Sequence, residues 1–147
     1  MGTGPGSGEV VARGEAPWLR ALLVWMLIML LETAHGFVRV VFIAAAIGDL
    51  RARQWGVLVG SVMVLLVTLA LFRWMRASTS RLQFIIGGSW VALTVTFEIL
   101  LGRATGARWE RLVSDYNPAQ GGFMLLGLAV MFMAPWLVAR WLTYWKK

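Results

Sequence analysis

The sequence predicts an all-α polytopic membrane protein: a four-transmembrane-helix bundle with a short interfacial or re-entrant segment after the first helix. Three observations carry this. Of 147 residues, 59% are hydrophobic and 14% charged, with a mean hydropathy of +0.72, whereas ordinary soluble domains carry about 25% charged residues. Apolar runs recur at the length of ~20 residues that a helix needs to cross hydrocarbon. Nine tryptophans fall mostly at the ends of those runs, where their amphipathic rings anchor a helix at the headgroups.

Residues 1–16, MGTGPGSGEVVARGEA, are rich in Gly and polar side chains and are expected to form a disordered cytoplasmic tail. Residues 17–147 are expected to form the four-helix transmembrane domain. The first run, Trp18 to Leu31, is apolar except for Arg20, whose charge can snorkel to the headgroups. ETAHGFVR follows, then Val40 to Gly48, which is too short to cross alone. A span from Trp18 to about Phe37 followed by an interfacial or re-entrant segment is preferred to one long helix bent at Gly36. Gly36 is a natural break, and GDLRARQ resembles a turn into the next helix.

The second span, Trp55 to Phe72, is uncharged and flanked by Arg53, Arg73 and Arg76. The third runs from about Leu82 to Leu101 and carries Glu98 near its far end. The fourth runs from about Gly121 to Leu142, and its Pro135 is of a kind that membrane helices tolerate. Between these two, Trp109 to Val113 is a short amphipathic stretch and Tyr116-Asn117-Pro118 a turn. Gly56 and Gly60 form a GxxxG pair that permits close helix contact within the bundle.

The tail, the second-to-third loop and the C-terminus hold eight of the fourteen basic residues. The other face holds six, together with Glu32, Asp49, Glu98, Glu110 and Asp115. Positive-inside topology then puts both termini in the cytoplasm. The net charge of +7 and pI near 11.3 arise from basic residues at span ends rather than from a patch on a soluble module, so no nucleic-acid partner is expected. With no cysteine and one histidine, neither a metal site nor a cofactor is expected. No nucleophile elbow, HExxH or dinucleotide fingerprint is present, and the chain is not expected to be an enzyme.

The candidate site lies where ionisable residues enter the apolar runs. Glu32 is about 21 Å along a helix from Trp18, and Glu98 about 24 Å from Leu82, so the two carboxylates are expected at similar depth near the outer face. Glu32, His35, Gly36 and Arg39 share a helix face, and Gly87, Val91, Thr94 and Glu98 form a stripe on the third span. Glu32, His35, Arg39, Arg51, Arg53, Glu98 and Arg103 are therefore expected to converge in one buried polar cluster. Such a cluster either ties the outer loops to the bundle through ion pairs or titrates and relays protons or binds a cation.

ETAHG (Glu32 to Gly36), GDLRARQ (Gly48 to Gln54), FEILLGR (Phe97 to Arg103) and DYN (Asp115 to Asn117) resemble segments of an uncharacterised family of small four-helix bacterial inner-membrane proteins. The resemblance spans roughly Glu32 to Gly122. It implies a bacterial inner membrane and assigns no activity. The preferred function is then a non-enzymatic accessory subunit or small homo-oligomer with a structural cluster, its partners being the bilayer and a second copy or a membrane complex. The alternative is a proton- or cation-linked carrier or channel using Glu32 and Glu98. Four helices with no internal repeat are few for alternating access, which favours the first.

Overall fold

In hydrocarbon no water can satisfy a free backbone group, so each apolar run closes its hydrogen bonds internally as a helix. The computed structural model describes residues 8–145, with side chains from Pro17 onward. Four helices are long and apolar enough to cross a membrane: Pro17–Ile47, Asp49–Met75, Ser80–Ala104 and Met124–Tyr144. In chain order the elements are α1 (Gly8–Val38), a π-helical turn (Arg39–Ile43), α2 (Ala44–Ile47), α3 (Asp49–Met75), α4 (Ser80–Ala104), α5 (Trp109–Asp115), a 3₁₀ turn (Pro118–Gln120) and α6 (Met124–Tyr144). The expected tail lies partly outside the described residues: nothing is described for 1–7, and the backbone is helical from Gly8.

The separate segment expected after the first helix is absent, and this corrects the sequence expectation. Residues 39–47 continue the first helix. A glycine inside a helix costs only about 1 kcal/mol, so hydrogen bonding runs on through Gly36. The irregularity falls one turn later, where the Ala44 N–H donates to the Arg39 carbonyl five residues back, the spacing of a π-bulge. The chain breaks at Gly48, whose φ of 87° and ψ of 152° are accessible essentially to glycine alone. The short independent helix is instead α5, between the third and fourth spans.

Gly48→Ala is therefore expected to destabilise the folded protein by about 1–3 kcal/mol. Thermal unfolding in detergent measures it, and a melting temperature equal to wild type would contradict the strained turn.

Successive spans alternate in direction, with α1 beside α3 and α6 lying between α3 and α4, so that α3 and α6 pack side by side in the same direction. Its core holds Val24, Ile28, Val64, Ile86, Trp90, Met131 and Ala134. In lipid such packing is driven by close fit more than by hydrophobicity, and small residues set the approach. A Cβ at Gly87 would overlap the Phe132 carbonyl, so α4 and α6 touch backbone to backbone. Phe84 extends that contact, its ring centroid 5.7 Å from Phe132 and 5.9 Å from Trp136. Pro135 is buried in α6, which remains one helix across it.

Away from α5 the ends are clasped by polar contacts. Arg20 lies 5.4 Å over the Trp74 ring and its Nη1 donates to the Trp74 carbonyl at 2.9 Å. Trp90 Nε1 donates to the Ala21 carbonyl at 2.9 Å, and Trp25 Nε1 to Thr94 Oγ1 at 3.0 Å. These two bonds join α1 to α4. Trp18, Trp74, Trp141 and Trp145 are exposed at this end, and Trp55 and Trp109 at the other.

Candidate functional site: a half-open cavity at the α5 end

Toward α5 the interior opens into a cavity of about 680 Å³. Its walls come from α1, α3, α4 and α6, and the α5 loop closes over its end. The GxxxG pair on α3 shapes one wall. A Cβ at Gly60 would lie 2.6 Å from Glu32 Oε1, and one at Gly56 would lie 2.7 Å from Arg39 Cδ. The missing side chains on α3 thus make a groove that receives Glu32, His35 and Arg39 from α1. His35 Nδ1 lies 3.7 Å from Glu32 Oε2.

Across the cavity, Glu98 Oε2 accepts a hydrogen bond from the Tyr116 hydroxyl at 3.1 Å. Burial, followed by the Glu98 carboxylate, pushes the Tyr116 phenol above its ordinary range, so it keeps its proton and remains a donor. The loop carrying Tyr116 is pinned from several sides. Arg53 on α3 pairs with Asp115 and, through Nε at 3.2 Å, with Asp49. Gln54 Nε2 donates to the Gly121 carbonyl at 3.0 Å, and Leu112 packs on Gly102. Asn117 Oδ1 accepts from the Ala119 N–H at 3.0 Å and starts the 3₁₀ turn.

Glu32, His35, Arg39, Arg53 and Glu98 all line this cavity. Arg51 and Arg103 do not: Arg51 is exposed, and Arg103 lies 5.4 Å over the Trp109 ring. The expectation of a buried acid/base cluster is overturned. Among the described residues the buried polar side chains are Thr68, Gln83 and Thr94, none of them charged. No group of three or more His, Cys, Asp or Glu among the described residues stands ready to hold a metal. Neither Glu32 nor Glu98 pairs with an arginine among the described residues.

The physical reason is geometric. The groove on α3 brings the α1 residues inward, but α1 packs less closely on α4 than on α3. The carboxylates therefore line the cavity half-buried, and neither is drawn into an ion pair with an arginine among the described residues. The structural cluster of an accessory subunit, and the carrier that would use it, both lose their basis.

Several cavity groups escaped the sequence analysis. Read from sequence, Gln54 and Asp115 have no distinct role, and Tyr116 marks only a turn. Thr94 was placed on a packing stripe, and there it takes the Trp25 N–H while its own hydroxyl points 3.2 Å from Met131 Sδ. The cavity floor beyond it is apolar, formed by Met29, Val64, Leu128 and Met131. Its side between α1 and α4 is flanked by Phe37 and Leu101, which are exposed.

No family model, curated protein or solved structure matches this chain. The family resemblance of the charged segments therefore extends no further than a small all-α protein with four apolar helices of membrane-spanning length.

Proposed function

We propose that the protein is a non-catalytic membrane protein that holds one amphipathic molecule, taken sideways from the bilayer between α1 and α4. The observation that carries this is the division of the cavity lining. Met29, Val64, Leu128 and Met131 offer an apolar floor, while Arg39, Gln54, Glu98 and Tyr116 offer polar partners at the α5 end. A volume of about 680 Å³ falls within the ≈ 300–1,000 Å³ of small-molecule sites. It has room for a headgroup and the first part of a chain, and the rest of the chain would remain in the bilayer.

We place both termini in the cytoplasm on the eight-to-six division of the basic residues, and we take the membrane to be a bacterial inner one on the resemblance of the charged segments. The cavity then belongs to the outer leaflet. The proposal needs no nucleic acid, catalytic residue or second subunit; its partner is the bilayer itself.

A single spin label tests it, and the chain has no cysteine to interfere. A nitroxide at Ser61→Cys, on the cavity wall, is compared in nanodiscs with one at the exposed Leu66→Cys. A mixture of monoacyl phospholipids with different headgroups is expected to slow the label at 61 and leave that at 66 unchanged. Equal response at both positions, or none at 61, would overturn the proposal.

A further inference from the structure

The cavity's charges are not matched among themselves. Arg53 is occupied by Asp49 and Asp115. Arg39, one turn beyond His35 at the start of the π-helical turn, has its Nη1 buried without a hydrogen-bond partner among the described residues, and the Nε of the ion-paired Arg53 is likewise without one. A guanidinium N–H left unpaired out of water is costly, and it is the group best shaped to meet a phosphate or carboxylate oxygen. On the other side, Glu98 lines the same cavity as Glu32 and Asp115, and its hydrogen-bond partner is the neutral Tyr116 hydroxyl. Like charges facing one space are stabilised by a cation placed between them.

One cavity therefore holds an arginine N–H lacking an acceptor and two carboxylates, Glu32 with only His35 beside it and Glu98 with only a hydroxyl, that do not pair with that arginine among the described residues. The residues behind them fix the scale. Arg39 packs at Gly56 and Glu32 at Gly60, one helical turn or about 6 Å apart along α3, comparable to the length of a phosphoethanolamine group. Carboxylate oxygens accept N–H donors. A primary ammonium offers three such donors, and a quaternary ammonium offers none.

Resting on the amphiphile-binding proposal, we infer that the ligand is a zwitterionic phospholipid bearing a primary ammonium. Its phosphate is received by Arg39, and its ammonium sits between Glu98 and Glu32. The apolar floor takes the start of an acyl chain.

Native mass spectrometry of the full chain, offered phosphatidylethanolamine, phosphatidylcholine and phosphatidylglycerol in equal amounts, reads the preference. Retention of phosphatidylethanolamine is expected to exceed that of each competitor on the order of tenfold, the effect of one charge-assisted hydrogen bond. Glu98→Gln, whose amide oxygen still accepts from Tyr116, is expected to abolish that preference while total bound phospholipid persists. Arg39→Gln is expected to bring phosphatidylethanolamine down to the level of diacylglycerol, which has no phosphate.

Equal retention of all three phospholipids, or a preference for phosphatidylglycerol, would overturn the headgroup assignment and leave amphiphile binding standing. No retained lipid of any class would overturn the binding proposal itself. Soluble phosphoethanolamine that occupies the protein as well as the lipid does would overturn the assignment to a lipid. Unchanged preference in a folded Glu98→Gln protein would remove the carboxylate from the site.

Discussion

Trp90→Ala is expected to unfold the bundle or leave it about 3–5 kcal/mol less stable, the range for deleting a buried aromatic side chain. Trp90 is 1% exposed and stands in the core with Val24, Ile28 and Met131. Its indole N–H also donates to the Ala21 carbonyl at 2.9 Å, one of the side-chain hydrogen bonds that hold α1 to α4. Lipid does not supply a hydrophobic force between helices, so the loss is of packing and of this bond. Trp90→Phe separates the two: it keeps most of the volume, loses the bond, and is expected to cost on the order of 1 kcal/mol. Thermal unfolding in detergent micelles checks both. A Trp90→Ala protein as stable as wild type would show that α1 is held elsewhere.

Gly87→Leu is expected to have an effect of similar size through the opposite fault. Even a Cβ at this position would overlap the Phe132 carbonyl, so α4 and α6 must part to admit any side chain. Overpacking a core typically costs 1–3 kcal/mol, and backbone against backbone leaves no rotamer to absorb the clash. The neighbouring position provides the control. A Cβ at Gly88 would lie 3.7 Å from Phe132 Cε2, an ordinary contact, so Gly88→Ala is expected to fold with wild-type yield. Monodisperse yield on size-exclusion chromatography reads the contrast. Equal yields from Gly87→Leu and wild type would contradict the close α4–α6 approach.

The elements legible in the sequence were those governed by hydropathy. The uncharged run Trp55 to Phe72 lies inside α3, and Leu82 to Leu101 inside α4, because twenty apolar residues in lipid have little alternative to a helix. The segment after Leu31 was not legible. Gly36 looks like a break, yet a helix absorbs one glycine cheaply. The true break at Gly48 shows only in its dihedral angles.

The cavity residues divide in the same way. Helical periodicity placed Glu32, His35 and Arg39 on one face, and the glycines of α3 receive that face. Periodicity says nothing of how far apart two helices stand, so the cavity and the lack of an arginine partner for Glu32 and Glu98 could not be foreseen. Arg51 and Arg103 sit near the others in sequence but point outward. Neighbouring positions on a helix can face opposite sides.

The most direct measurement of the proposed lipid site is photo-crosslinking in bilayers. A phospholipid carrying a diazirine on the second or third acyl carbon is incorporated into vesicles, and its adducts are mapped by peptide mass spectrometry. Attachment at cavity-floor residues such as Met29, Leu128 and Met131 is expected to exceed attachment at the lipid-facing Leu30 and Leu66. Gly60→Trp, which places a large ring where Glu32 now packs, is expected to remove the cavity adducts and spare those outside. Adducts confined to Leu30, Leu66 and other outward residues, with the floor unlabelled in the wild-type protein, would contradict the site.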